Sequence, residues 1–146
     1  MTNPEAMRSV TITRTSAGKF RATNAHGGTF DFGSGGDDQF TPVELLLTAI
    51  AGCSAIDVDI LTSRRSEPTT FDVTASGEKL RDEQHNHMGP ITVRFEVSFP
   101  EGAEGDAARS VYPDAVERSH DRLCTVSRTV QLGADVTMQI AGESGD

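Results

Sequence analysis

The sequence predicts an α+β fold, and three observations carry that prediction. A long apolar helical stretch occupies the centre of the chain, from Thr41 to Arg65. Short stretches of alternating apolar and polar residues lie on both sides of it. A second helical period, with apolar residues three and four apart, follows near the C-terminal end. The resulting order, βββ-α-ββ-αα-β, has isolated strands rather than regular strand–helix alternation, which is the pattern of antiparallel sheets with segregated helices. At 146 residues the chain is expected to form one domain, residues 1–146, long enough for a real core.

In chain order, Val10–Thr13 and Phe20–Thr23 alternate in polarity around the turn Ser16-Ala-Gly18, which predicts a hairpin. Thr29–Phe32 supplies a third short strand after Gly27-Gly28. The Gly-rich loop 33–39 has the glycines of a phosphate loop but no Lys-Ser/Thr after them, so it reads as a connection. Then comes the helix. Thr41 is the N-cap, Pro42 takes the first helical position, and Glu44 stands three residues after the cap, where it can reach back to the cap's own N–H. Arg64 and Arg65 suit the negative C-terminal end, and Pro68 stops the helix.

From Val43 to Ile56 the apolar residues occupy every side of this helix, and a helix apolar all round is normally buried all round. A single chain of this size has too little mass to surround it, so a partner subunit is expected. Phe71, Val73 and Ala75 alternate with polar neighbours, as do Ile91, Val93, Phe95, Val97 and Phe99. The polar insert 81–89 joins these two strands as a long hairpin. Ala108, Val111, Tyr112, Ala115, Val116, Ser119 and Leu123 form the second helical stripe, with Pro113 either starting or kinking its main helix. Val136–Ile140 alternates as a last strand.

Charge and cysteine use exclude several function classes. A net charge of −9 and a pI near 4.8 oppose binding to nucleic acid or to an anionic membrane surface. No unbroken apolar run reaches the ~18 residues of a membrane span, and the start lacks the layout of a signal peptide. Two cysteines, Cys53 and Cys124, are too few for a secreted disulfide scaffold, and their spacing fits no zinc motif. A reducing, cytoplasmic compartment is therefore expected, where such thiols are either small core residues or reagents.

The segment Pro42-Val-Glu-Leu-Leu-Leu-Thr-Ala-Ile-Ala-Gly-Cys-Ser-Ala-Ile-Asp-Val, followed later by Ser119-His-Asp-Arg-Leu-Cys-Thr-Val-Ser, resembles the OsmC/Ohr family, and the order of elements is similar along nearly the whole chain. The resemblance implies an intertwined homodimer, with two antiparallel sheets around two central helices. It implies a stress-response peroxidase that reduces organic hydroperoxides, with hydrogen peroxide as a further substrate, and that uses no metal or bound cofactor. Cys53 is implied as the peroxidatic residue and Cys124 as its resolving partner, with a dithiol reductant of lipoyl or thioredoxin type.

The family also uses an Arg and a Glu at the peroxide site. Its Glu often follows directly on the Pro, whereas here Val43 intervenes and Glu44 is the acid. Glu44 and Cys53 face opposite sides of one helix, so Glu44 would meet a Cys53 thiol only across a two-fold axis; it also has a role as the capping-box acid. Arg14 is the preferred cation, and Arg21 aligns about as well.

The chemistry can be argued without the family. A thiolate attacks one peroxide oxygen, leaving a sulfenic acid and an alcohol, and a second thiol condenses with the sulfenic acid to a disulfide. An apolar surround raises a thiol's pKa, so a buried Cys53 needs a cation beside it. Asp57, four residues on and on the same helix face, opposes thiolate formation unless it is paired. His85 and His87 form an H-x-H pair with no third ligand in view, and His120 precedes Cys124 by four residues; both sets read as solvated, and His26 as turn chemistry. The alternative to a peroxidase is a non-catalytic dimer that binds a small hydrophobic ligand in its inter-subunit cleft.

Overall fold

The computed structural model describes residues 3–142. Two compact units make up the chain, residues 1–48 and 49–146, and the long helix begins in the first and ends in the second.

The first unit is a three-stranded antiparallel sheet in the order β1-β2-β3, with β1 Val10–Ser16, β2 Lys19–Asn24 and β3 Thr29–Gly33. A bulge between Arg14 and Ser16 tightens the first turn, which closes through Gly18 at a φ of 69° that a side chain would strain. Phe20 and Phe32 sit opposite each other across β2 and β3 and stack at 5.9 Å, so the alternation read from the sequence has set the register. On the other face Arg21 opposes Asp31 and grips it with two hydrogen bonds, of 2.6 and 3.0 Å.

The helix α1 runs from Pro42 to Ser63. Its start is the expected reciprocal cap. The Thr41 amide and hydroxyl both donate to Glu44 Oε1, at 2.9 and 3.0 Å, and the Glu44 amide donates to Thr41 Oγ1 at 3.3 Å. Those bonds to Thr41, first from its amide and then from its hydroxyl, hold the Glu44 carboxyl below its ordinary pKa. Within α1 the buried residues are Ile50, Ser54, Val58 and Thr62, a single stripe at every fourth position, while Ile56 and Ile60 stay 62% and 48% exposed. One chain thus buries one side of a helix whose sequence asks for burial on all sides. By length and composition α1 also passes as a membrane span, contrary to the expectation from unbroken runs, because an average over the helix tolerates an occasional polar residue.

In the second unit β4 (Thr70–Ser76) pairs antiparallel with β7 (Thr92–Ser98), placing Phe71 opposite Val97, Val73 opposite Phe95 and Ala75 opposite Val93. The polar insert between them carries a small hairpin of its own, β5 Lys79–Arg81 with β6 Asn86–Met88. Helix α2, Ala103–Arg118, keeps Pro113 inside it without a break. A five-residue π-turn, Ser119–Leu123, then leads to α3, Thr125–Leu132, which ends on Gly133 in the left-handed conformation. Ile50, Val58, Phe99, Ala108, Ala115 and Cys124 are the buried apolar residues here.

The predicted last strand is not one. Residues 134–140 pair with no strand among the described residues, and Val136, Met138 and Ile140 are 80%, 89% and 70% exposed. Alternation fixes which side of a sheet each residue would face but supplies no sheet to join.

The loop into α2 is held by one side chain: Arg109 donates to the Phe99 and Pro100 carbonyls at 2.9 and 2.8 Å, which brings Pro100 onto Gly105. A methyl at Gly105 would overlap the Pro100 carbonyl oxygen. Gly105→Ala is therefore expected to cost about 3 kcal/mol in urea unfolding, by forcing this backbone apart; an unchanged midpoint would show that the loop shifts freely.

Candidate functional site

Three elements of the second unit converge on one cluster: α1 supplies Cys53 and, one turn on, Asp57; the π-turn supplies Ser119; and Cys124 is the N-cap of α3. The two sulfurs and an Asp57 carboxylate oxygen all lie within 4.8 Å of one another. Cys53 is half-buried and Cys124 buried, and both are free thiols. The sequence separates these cysteines by 71 positions, and the fold brings them together.

The local reasons are specific. In the π-turn the Cys124 amide donates to the Ser119 carbonyl at 2.9 Å, a five-residue span that is one wider than an α-turn. The chain leaves it extended at Cys124, whose sulfur takes the place that Ser, Thr or Asp usually holds at a helix start. The Ser127 amide donates to it at 3.4 Å, and it lies 3.2 Å from the Ser127 hydroxyl. Ser119 also donates its hydroxyl to Asp57 Oδ2 at 2.9 Å. One residue therefore ties both cysteine segments together.

The two thiols are electrostatically unlike. Burial pushes the Cys124 thiol up. The Ser127 hydroxyl, the Ser54 hydroxyl, the Ser127 amide and the Cys53 thiol act against burial and leave it below the ordinary thiol value. Cys53 is raised, first by burial and then by Cys124 and Asp57, with only the Val126 amide acting the other way. Two sulfurs this close cannot both carry charge cheaply, and the bonds around Cys124 decide in its favour. No guanidinium is among the groups acting on Cys53 among the described residues.

The remaining predicted residues lie elsewhere. Glu44 is held on its cap in the first unit, where Arg14 and Arg21 also sit. Arg21 is committed to Asp31, while Arg14 is exposed on β1. His85 and His87 are solvated beside Asp82, at 3.6 and 3.8 Å. His120 pairs with its neighbour Asp121 at 3.0 Å on the surface. Sequence reasoning flagged Asp57 but did not find Ser119 and Ser127. The run Cys124-Thr-Val-Ser127 carried the signal, since a cap residue followed three positions later by Ser is a helix start with sulfur in the capping place.

An α+β chain with a close pair of thiols, one half-buried on a long apolar helix and one capping a short helix, defines an α+β dithiol protein. The OsmC-like protein family matches residues 35–139, and the chain belongs to that family. It is 30% identical to protein YhfA of Escherichia coli strain K12 over 106 residues, covering 72% of this chain and 75% of that protein. Among solved structures it is similar to an OsmC-like protein from Vibrio cholerae, with a TM-score of 0.69 at 11% identity, covering 86% of this chain and 94% of the other. It is also similar to the organic hydroperoxide resistance protein OhrB of Bacillus subtilis, with a TM-score of 0.52 at 18% identity, covering 88% and 93%.

Removing the Asp57 charge lowers the Cys53 thiol towards its ordinary value. At one mildly alkaline pH, Asp57→Asn should alkylate at Cys53 about twofold faster than wild type in the folded protein, with no difference in denaturant. Peptide mapping of iodoacetamide-treated protein reads this, and an equal or slower folded-state rate would mean that Asp57 does not act on the sulfur.

Proposed function

We propose that this protein is a thiol-dependent peroxidase that reduces organic hydroperoxides, with hydrogen peroxide as a further substrate. The observation that carries the reading is the meeting of Cys53 and Cys124 within 4.8 Å in a partly dry cluster. Family membership supports it, as does the likeness in fold to a protein named for organic hydroperoxide resistance.

In the proposed cycle the Cys53 thiolate attacks one peroxide oxygen. The O–O bond breaks, Cys53 becomes a sulfenic acid, and the other oxygen leaves as the alcohol after taking a proton. The Cys124 thiolate then attacks the sulfenic sulfur, forming the Cys53–Cys124 disulfide and expelling hydroxide, which takes a proton and leaves as water. A cellular dithiol of lipoyl or thioredoxin type returns both thiols. Cys53 is the more accessible of the two sulfurs, which suits it to meet the substrate. Cys124 has the lower pKa, which suits it to attack second.

The raised Cys53 thiol needs a cation from outside its own unit. Arg14 is the better candidate, because Arg21 is already spent on Asp31. In this reading a homodimer delivers Arg14 and Glu44 of one copy to the partner's Cys53. The bare apolar side of α1, at Ile56 and Ile60, is the surface that the second copy covers. No nucleic acid or membrane takes part, and the reducing cytoplasm keeps the thiols ready.

The test is consumption of a dithiol that depends on cumene, t-butyl or hydrogen peroxide. Cys53→Ser should abolish it, Cys124→Ser should leave a sulfenic acid trappable at Cys53, and oxidised wild type should yield a linked Cys53–Cys124 peptide pair. Arg14→Ala should lower kcat/KM by at least about tenfold. A wild type as inactive as Cys53→Ser would hand the protein to the other reading, a dimer that binds a small hydrophobic ligand.

A further inference from the structure

The cluster at Cys53 has a donor set that peroxide chemistry does not use in full. Asp57 is no partner for a thiolate: its charge opposes ionisation of Cys53, and among the described residues no Lys or Arg is in ion-pair contact with it. Yet it is placed with care. The Ser119 hydroxyl holds Oδ2 at 2.9 Å, which fixes the carboxylate and leaves its other oxygen available. A ligand that is itself hydrogen-bonded from behind is the usual arrangement at metal centres, where such a partner orients the donor. Three donors that would repel one another once ionised, gathered within 4.8 Å, lack only a positive charge.

We propose that the reduced Cys53–Cys124 pair and Asp57 together form a binding site for one thiophilic divalent cation of the zinc class. The donors select the metal. Two sulfurs and one carboxylate suit zinc, whereas magnesium and calcium require an all-oxygen shell. Zinc–sulfur bonds of about 2.3 Å in a tetrahedral shell put two sulfurs about 3.8 Å apart, a separation that fits donors gathered within 4.8 Å of one another. Three protein ligands leave a fourth position for water. The long sequence separation of the cysteines hides this site from motif spacing, because α1 and the π-turn, not a knuckle, bring them together.

Binding replaces the two thiol protons with the cation and releases them to solvent, so metal and proton compete for the same sulfurs. The site exists only in the dithiol form. Joining the sulfurs as a disulfide, or alkylating them, removes both anionic donors. Under the peroxidase reading, on which this one step rests, the zinc-bound pair, one hydroperoxide and two protons give the disulfide, the alcohol, water and free zinc. The cation then guards the thiols until oxidation discharges it.

The test is a zinc titration of the full-length, reduced, metal-stripped chain against a chromophoric competing chelator, with cobalt as a spectroscopic substitute. One zinc per chain is expected, and the cobalt form should show thiolate charge-transfer absorption and the visible bands of a tetrahedral ion. Asp57→Asn should weaken binding at least about tenfold and Ser119→Ala about tenfold, and Cys53→Ser or Cys124→Ser should lose it. Wild type alkylated at both thiols should not bind, and that arm needs no mutation, so a folding defect in a variant cannot hide the answer. Failure of wild type to compete for zinc overturns the proposal, as does affinity unchanged by alkylation or by Asp57→Asn. No peroxide is present in the titration. A chain that binds zinc but turns over no peroxide keeps this site and loses the function proposed above; the reverse result loses only the site.

Discussion

Ser119 is the residue on which the geometry of the thiol pair depends. Its carbonyl accepts the Cys124 amide and its hydroxyl donates to Asp57, so one backbone and one side-chain bond, each 2.9 Å, tie the approach to α3 to the middle of α1. Ser119 itself is 1% exposed, and inside a protein an unmade bond from such a group is expensive. Two long-range consequences follow from one short side chain. The wide turn sets where Cys124 leaves α2, and the hydroxyl sets where the carboxylate beside Cys53 points.

The two thiols then differ because their backbones differ. Cys53 lies mid-helix, where the amides of α1 are bonded within the helix, and only the Val126 amide from α3 acts to stabilise its sulfur anion. Cys124 lies at a helix start, where unpaired amides point outward and the helix dipole favours negative charge. Its amide partner Ser127 and the surrounding hydroxyls add to that. The asymmetry therefore combines secondary structure with two side chains, the Ser127 and Ser54 hydroxyls, that act on Cys124.

Much of this was legible in the sequence, and the parts that were not share a cause. The Thr41-Pro-Val-Glu44 start of α1 is local chemistry, complete within four residues, and it is found as read. The strands Phe71–Ala75 and Ile91–Phe99 carry their facing in their own alternation, and β4 pairs with β7 in the matching register. Val136–Ile140 carries the same alternation yet pairs with nothing described, because a strand is completed by a neighbour that its own sequence does not specify. The link from Ser119 to Asp57 spans 62 positions and no periodicity marks it. Ser119 reads as one more member of a helical stripe until the π-turn redirects it.

The position of Cys53 around α1 connects the site to the helix's unsatisfied side. At about 100° per residue, the buried stripe Ile50, Ser54, Val58 and Thr62 spans one third of the circumference. Cys53 and Asp57 fall just beyond one edge of it, and Ile56 and Ile60 follow next, exposed. The thiol thus stands on the border between the part of α1 that this chain covers and the part it leaves bare. A body laid on Ile56 and Ile60 would form the remaining wall around Cys53 and would be the nearest source of any charge the site lacks. An apolar helix with its reactive residue on such a border has its reactivity and its assembly coupled: whatever removes those isoleucines from water also decides the solvation, and hence the ionisation, of the sulfur beside them.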